Sequence, residues 1–215
     1  MDDISGYLCG ILAAKGVIND RNKDYYISIE SSDQVISNLI ARALILSNIE
    51  FTTLKRRRKL KDKEYLTDLF IARGKDVVNK VKSYEIKTGR HEWNVPSRAF
   101  DSRLFRISFL QAFYDIHGNI IYRLKNRQKI RAIKIISVNS NGIQQLAKLL
   151  LLEGIKPNIY SNGKSTVLEI NGKNKVSQFT KKIGFTNQRK KELVENIIDP
   201  VKFDKLISQK RSRDF

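Results

Sequence analysis

The chain has 215 residues, of which 41% are hydrophobic, so it can bury a core in one large domain or two small ones. Its 41 Lys and Arg against 22 Asp and Glu give a formal net charge of +19, which favours a polyanionic partner, nucleic acid before an anionic membrane. No apolar run approaches the roughly 18 residues of a membrane span, and the acidic start at Asp2 and Asp3 differs from a signal peptide. These features predict an intracellular, cytoplasmic protein.

Cysteine and histidine are too scarce for structural metal or disulfide frameworks. Cys9 is the one cysteine, which excludes an intrachain disulfide, and two histidines do not suit a structural zinc site. The abundance of isoleucine, lysine and asparagine suggests an AT-rich genome, of archaeal or viral origin.

The first half of the chain predicts the element order αββαββα. A first helix, capped by Asp3 or Ser5, ends at Gly16. The elements that follow are predicted from hydrophobic periodicity as two strands, a helix, two strands and a helix, at Val17–Arg21, Tyr25–Ser31, Gln34–Ser47, Phe51–Arg58, Glu64–Ala72 and Asp76–Lys87. An irregular linker with Pro96 follows, in which Trp93 is predicted to be a packing anchor between the halves.

The second half repeats this order. A helix capped by Asp101 or Ser102 precedes elements predicted at Asn119–Lys125, Lys129–Val138, Asn141–Leu152, Pro157–Ser161, Ser165–Ile170 and Lys173–Ile183. Seven residues recur 106 positions later, Ile27, Ile29, Ser31, Ala41, Leu44, Leu46 and Ile49 matching Ile133, Ile135, Ser137, Ala147, Leu150, Leu152 and Ile155. A last helix, Asn187–Ile197, is predicted to stop before Pro200. The repeat predicts a first half at 1–88, a linker at 89–100, a second half at 101–199 and a basic tail at 200–215, which includes Lys210–Arg213.

Two nonapeptides carry a family resemblance. Leu8-Cys9-Gly10-Ile11-Leu12-Ala13-Ala14-Lys15-Gly16 resembles the motif of the LAGLIDADG homing endonucleases, and Leu110-Gln111-Ala112-Phe113-Tyr114-Asp115-Ile116-His117-Gly118 resembles a second copy. The resemblance to single-chain, two-motif members implies an α+β fold. It implies two four-stranded antiparallel sheets that form a saddle over the DNA major groove, with the two motif helices packed at a pseudo-twofold interface. Small residues suit close helix packing, and Gly10, Ala14 and Ala112 are the candidates.

The family's metal-binding acids are replaced in this sequence. The last acid of each motif holds divalent metal in the family, and the matching positions here are Lys15 and His117. Mg²⁺ prefers carboxylate oxygens, a lysine ammonium repels it and a neutral imidazole binds it poorly. We therefore expect no catalytic residue, no metal and no cofactor, with Mg²⁺ needed only if the protein is a nuclease after all. Asp115 matches an acid that does not hold metal in the family and is interpreted as a structural residue.

Strand alternation predicts which side chains face DNA. Ile120, Tyr122 and Leu124 should face the helices. They alternate with Ile121, Arg123 and Lys125, so the two basic residues should face outward, and the alternation is expected to continue to Arg127. At least two members of the run 55–59 must also reach the DNA-facing side. The candidate DNA-binding residues are Lys15, Arg21, Lys23, Ser28, Lys55, Arg56, Arg57, Arg58, His117, Arg123, Lys125, Arg127 and Lys134.

Three functions remain open from the sequence. The leading hypothesis is a monomeric double-stranded DNA-binding protein on a scaffold without cleavage activity, acting in regulation or in maintenance of a genetic element. The alternatives are an active endonuclease or nickase with unusual ligands, and an RNA-binding intron maturase. A saddle that spans a major groove disfavours regular A-form RNA, whose major groove is too narrow for side chains.

Overall fold

A computed structural model describes residues 3–21, 23–60 and 63–211. The chain divides into two compact units, Met1–Ile116 and His117–Phe215. Each contains one four-stranded antiparallel sheet with helices on one face, which is the predicted α+β class with a tandem repeat. In the described part of the chain, no helix is both long enough and apolar enough to cross a membrane.

The first unit contains the predicted αββαββα order followed by two further helices. Its elements are α1 Ile4–Lys15, β1 Gly16–Asn19, β2 Tyr26–Ser31, α2 Gln34–Leu46, β3 Thr52–Leu60, β4 Lys63–Arg73, α3 Lys75–Lys82, α4 Arg98–Asp101 and α5 Arg103–His117. The sheet has the strand order β1-β2-β4-β3. Ile27 and Ile29 of β2 are buried with Ile40 and Leu44 of α2, so the sheet packs its alternate side chains on that helix.

Helices α1 and α5 pack with their backbones in close approach. The side chain of Asp3 caps α1 by accepting a hydrogen bond from the Gly6 amide at 2.9 Å. A Cβ atom added to Gly10 would lie 2.7 Å from the Cβ of Ala112, and one added to Gly6 would lie 2.5 Å from the carbonyl oxygen of Phe105. Glycine at these two positions therefore permits a contact that any larger residue would obstruct.

The segment predicted as an irregular linker is partly helical and packs onto α5. The predicted irregular stretch contains the short helix α4, which the sequence pattern did not predict. The buried guanidinium of Arg106 donates to the carbonyl oxygens of Ala99 and Phe100 at 3.0 Å, which ties α4 to α5. Trp93 is buried, with its ring centroid 4.8 Å from that of Phe113. The indole is therefore a packing group on the second motif helix.

The second unit repeats the fold of the first. Its elements are β5 Asn119–Lys125, β6 Gln128–Ser137, α6 Ser140–Leu152, β7 Asn158–Asn162, β8 Ser165–Asn171, α7 Lys173–Lys182, α8 Gln188–Ile198 and α9 Pro200–Arg211. The sheet has the strand order β5-β6-β8-β7. Its core contains Ile133 and Ile135 of β6 with Leu146 and Leu150 of α6, as the repeat predicts. Gly172 caps the start of α7 with φ of 94°, and Gly74 caps the start of α3 with φ of 124°, a left-handed conformation that favours glycine.

The predicted tail at 200–215 is wrong over most of its length, because Pro200 begins α9. Asp199 accepts hydrogen bonds from the amides of Val201 and Lys202 at 2.8 and 3.0 Å, and proline is well suited to the first helical position. Phe203 of α9 is buried with its ring centroid 4.1 Å from the guanidinium carbon of Arg131. The Nε of Arg131 donates to the carbonyl oxygen of Ile197 at 2.5 Å, so this buried arginine joins β6 to both last helices. Residues 212–215 lie outside the described residues.

Candidate nucleic-acid interface

The strand register defines a face of each sheet that is opposite to the helices, which we call the open face. In the first unit, Val17 pairs with Ser28, Ser28 with Ile71, and Ile71 with Thr52. This cross-strand row lies on the opposite side from the buried Ile27 and Ile29, because successive side chains alternate between faces. In the second unit the equivalent row contains Asn119, Lys134, Glu169 and Asn158.

The basic strand β3 divides its side chains between the two faces. Arg56 pairs with Thr67 and Arg58 with Tyr65, which places both arginines on the open face together with Ser28. Lys55 and Arg57 lie on the opposite face. The Nζ of Lys55 is 2.5 Å from Asp68 Oδ1, so its charge is compensated there. Two members of the run 55–59 therefore reach the open face.

Two further candidates of the first unit lie in a loop. Strand β1 ends at Asn19, so Arg21 lies in the exposed turn before β2 and not in a strand as predicted. Lys23 lies in the same turn, where the sequence had placed it. Lys23 has a positive φ of 62°, which fits a turn and not a strand. Asn22 lies outside the described residues.

In the second unit Arg123, Lys125 and Lys134 lie on the open face. Arg123 pairs with Ile130 and Lys125 with Gln128, while Tyr122 and Leu124 alternate to the helix side. The predicted continuation to Arg127 is wrong. Asn126 and Arg127 form the two-residue turn between β5 and β6, with φ of 49° and 61°, so Arg127 projects from the hairpin tip.

Lys134 is held in place by two neighbours on the open face. Its Nζ donates to the hydroxyl oxygen of Tyr160 at 2.9 Å and lies 3.1 Å from Glu169 Oε1. These contacts raise the pKa of Lys134, the hydrogen bond to Tyr160 having the largest effect. The cation is therefore permanent at neutral pH, although Glu169 offsets part of its charge.

Lys15 is the last residue of the first motif helix, and it lies beside Glu30, whose carboxylate already accepts several hydrogen bonds. Lys15, Glu30, Arg58, Tyr65 and Thr67 line a shallow depression together with Ser31 and Ser32. Glu30 accepts hydrogen bonds from Nε and Nη2 of Arg58 at 2.8 and 2.6 Å and from the hydroxyl of Thr67 at 2.6 Å. Arg58 above all holds the pKa of Glu30 at about 2, so the carboxylate stays ionised and compensates the arginine. Partial burial lowers the pKa of Lys15, and Glu30 and Asp33 oppose this shift.

The polar groups next to Lys15 already have hydrogen-bond partners. Among the described residues, no group of three or more His, Cys, Asp or Glu side chains is arranged to hold a metal ion. Lys15 offers an ammonium, and the oxygens of Glu30 already accept from Arg58 and Thr67. Asp115 is buried and accepts a hydrogen bond from the Tyr7 hydroxyl at 2.9 Å, which agrees with a structural role.

Sequence reasoning missed several residues that the structure assigns to these sites. Gly6 contacts α5 as Gly10 does, and the spacing of Gly6, Gly10 and Ala14 at every fourth residue is a signal that could have found it. Cross-strand pairing brings four further residues into contact with their partners: Glu30, Thr67, Tyr160 and Glu169. No local pattern in the sequence marks them.

The positive charge is concentrated in the second unit. The first unit has 20 Lys and Arg against 15 Asp and Glu, a net +5, and the second has 21 against 7, a net +14, which together give the +19 of the chain. Several cations of the first unit also form ion pairs, Arg73 with Asp24 and Arg58 with Glu30 among them. Within the described residues, no ion pair involves Arg123, Lys125 or Arg127. The second unit therefore carries most of the excess positive charge of the chain.

Two family models match the chain, one in each half. The WhiA LAGLIDADG-like domain matches residues 4–71, and the LAGLIDADG-like domain matches residues 105–184. No curated protein sequence matches the chain.

Solved structures share the fold at low sequence identity. The homing endonuclease I-DmoI in complex with DNA and Mn is 14% identical with a TM-score of 0.58, over 84% of this chain and 96% of that chain. Full-length DUF199/WhiA from Thermatoga maritima is 16% identical with a TM-score of 0.60, over 98% of this chain and 66% of that chain. The N-terminal LAGLIDADG domain of DUF199/WhiA is 15% identical with a TM-score of 0.60, over 90% of this chain and 86% of that chain.

The duplicated αββαββα order, the two motif helices and the match of a LAGLIDADG-like family model to each half agree with one another. The chain is therefore a single-chain, two-motif protein of the LAGLIDADG fold.

Proposed function

We propose that this protein binds double-stranded DNA and leaves it uncut. The observation that carries the proposal is the set of basic side chains on the open faces of both sheets, Arg56 and Arg58 in one unit and Arg123, Lys125 and Lys134 in the other. Cations spaced along adjacent strands suit the phosphates and base edges of a major groove. I-DmoI, which shares the fold, has been crystallised in complex with DNA, and this likeness supports the same class of partner here.

The chemistry at the motif-helix ends supports binding without cleavage. Two-metal phosphodiester cleavage needs ligands that hold ions beside the attacking and leaving oxygens. Lys15 places a cation where the family places a carboxylate, and His117 offers a neutral or cationic imidazole at the equivalent place. Both side chains are suited to contact a phosphate directly, so they add affinity in place of catalysis.

A protein that binds a DNA site without cutting it can act only by being bound there. We therefore place its role in regulation or in the maintenance of a genetic element, with the single chain acting as a monomer. Regular A-form RNA is the weaker candidate, because its narrow major groove does not admit a sheet. A gel-filtration mass of one chain, free and bound to DNA, is the result this proposal expects.

The test begins with duplexes selected by the protein from a random library. Binding is then measured in EDTA, in Mg²⁺ and in Mn²⁺, and both strands are examined on a denaturing gel. We expect affinities that agree within about twofold in the three conditions, and no cleavage. Central cleavage that Lys15→Ala or His117→Ala abolishes would overturn the proposal in favour of an endonuclease.

A charge reversal at the motif-helix ends gives the matched comparison. Lys15→Asp combined with His117→Asp replaces the predicted phosphate contacts by carboxylates. We expect this variant to bind the selected duplex at least tenfold more weakly in EDTA and to regain part of the loss in Ca²⁺, because carboxylates suit this ion. Lys148→Asp combined with Gln144→Glu, two exposed substitutions on helix α6 that make the same change in formal charge, controls for net charge and should change affinity much less.

A further inference from the structure

The open face of each sheet carries exposed apolar side chains among its charged residues. In the second unit they belong to the cross-strand row Ile136, Val167 and Tyr160, which pair directly across β6, β8 and β7. Ile136 is 49% exposed and Tyr160 41%, while Val167 between them is 2% exposed. In the first unit Leu54, which is 48% exposed, pairs with Leu69 across β3 and β4, and Glu30 of β2 completes that row.

The two rows occupy equivalent places in the repeat. Leu54 lies two residues after Thr52 on the edge strand β3, and Tyr160 lies two residues after Asn158 on the edge strand β7. Leu69 and Val167 are their partners on the neighbouring strand. Both halves therefore keep an exposed apolar residue at the same position of the edge strand, while the position on the inner strand is Ile136 in one half and Glu30 in the other. These side chains are accessible to a partner that binds the open face.

The charges around the rows favour an anionic occupant, because the two acids there, Glu30 and Glu169, already pair with Arg58 and Lys134. Arg56 follows Leu54 on the open face two residues along β3, and Lys134 precedes Ile136 two residues along β6. Lys134 Nζ also lies 5.6 Å from the centre of the Tyr160 ring. An apolar protein partner would have to bury these cations, whereas duplex DNA supplies phosphates to them.

The apolar group that duplex DNA offers in its major groove is the C5-methyl group of thymine. Side chains such as alanine, the threonine methyl group and phenylalanine make this contact in known recognition, and it distinguishes thymine from the other bases. Leu54, Ile136 and Tyr160 present exposed apolar carbons beside cations that would hold the backbone, the geometry that such a contact requires.

We propose that Leu54, Ile136 and Tyr160 read thymine methyl groups, so that the protein prefers sites with thymine at fixed positions under each sheet. This inference rests on the proposed binding of double-stranded DNA and adds what the open faces recognise. Burial of one methyl group is worth about a fourfold change in affinity. The expected preference is therefore moderate at each position and multiplies over several positions.

The experiment compares thymine with deoxyuridine, which lacks only the C5-methyl group and keeps every hydrogen-bonding atom. A duplex selected from a random library is synthesised with each thymine replaced in turn, and affinity is measured by fluorescence anisotropy. We expect losses of about fourfold at a few thymines and none at the rest. Equal affinity at every position would overturn the inference while the binding of DNA still stands.

Substitutions assign each thymine to a side chain. Ile136→Ala and Leu54→Ala should each remove the difference between thymine and deoxyuridine at their own position and keep it elsewhere. Leu152→Ala is the control, because Leu152 is equally apolar and exposed but lies on helix α6. If Ile136→Ala and Leu54→Ala both leave every thymine preference intact, the assignment is wrong. If no duplex is retained in the selection, the proposed function itself fails.

Discussion

Tyr7 of α1 donates a buried hydrogen bond to Asp115 of α5, with 2.9 Å between the two oxygens. The pair joins residues 108 positions apart, and so links the first motif helix to the second. Asp115 belongs to the second motif, and its carboxylate is buried between the two helices. The contact is therefore part of the packing of α1 against α5.

Removing the hydroxyl of Tyr7 should cost stability and leave DNA affinity unchanged. In Tyr7→Phe the buried carboxylate of Asp115 loses a donor, and such losses cost about 1 to 3 kcal/mol. The free energy of unfolding in urea measures this change. Tyr65→Phe, which removes a hydroxyl from an exposed side chain, is the control and should stay within about 0.5 kcal/mol of the original protein. An unchanged stability in Tyr7→Phe would show that the pair contributes little.

The close contact of α1 and α5 predicts that Gly10 tolerates no side chain. In Gly10→Ala the new methyl group would lie 2.7 Å from the Cβ of Ala112, so the helices must separate. Overpacking of this kind costs about 1 to 3 kcal/mol. Thermal unfolding of the variant should show a lower midpoint than that of the original protein.

A double substitution tests whether steric overlap is the cause of the lost stability in Gly10→Ala. Gly10→Ala combined with Ala112→Gly removes one of the two overlaps and should recover part of the lost stability. The recovery should be incomplete, because the carbonyl oxygen of Phe109 also lies against the added methyl group. A double variant that is less stable than Gly10→Ala alone would contradict this packing of α1 against α5.

The Glu30–Arg58 pair predicts a dependence of stability on acidity. The pKa of Glu30 is lowered from 4.5 to about 2 in the folded protein, so this carboxylate stabilises the fold above its unfolded pKa. The contribution is lost as pH falls from about 4.5 through 2. Because Arg58 is partly exposed, solvent screening reduces the contribution to about 1 kcal/mol.

Urea unfolding at pH 7 and pH 3 measures this contribution. Glu30→Gln should lose less stability between the two pH values than the original protein does. Glu192→Gln, an exposed substitution on α8, should behave like the original protein. If Glu30→Gln and the original protein lose the same stability on acidification, the hydrogen bonds to Arg58 and Thr67 do not persist in solution.

The open face of the second unit predicts the dependence of DNA affinity on salt. Each phosphate contact that is lost should reduce the slope of log affinity against log salt by about 0.9. Arg123→Ala combined with Lys125→Ala should therefore reduce it by about 2 and weaken binding at low salt. The combination Arg189→Ala with Lys148→Ala removes the same charge from exposed helical positions in the same unit. Equal slopes for the two double variants would exclude the open face as the site of phosphate contact.

The sequence by itself determined the duplicated element order, the two motif helices and the strand positions of the central basic residues. Apolar side chains recur at every second residue in β2 and β6 because one face of each sheet is buried, so Ser28 and Lys134 could be assigned to the other face from local alternation alone. Gly10 and Ala112 were also predictable as small residues on apolar helices.

Only the tertiary structure decided how the charges are used. The positions of Arg21 and Arg127 depend on where the strands end, which hairpin turns fix and alternation does not show. Pro200 stands at the first position of a helix and not after the last, because Asp199 caps α9 and Phe203 packs on Arg131. Glu30 meets Arg58, and Lys134 meets Tyr160, across strands that are far apart in sequence. Pairing of this kind is a property of the sheet register. No local sequence pattern could therefore predict which cations are paired with acids or hydroxyl groups and which are not.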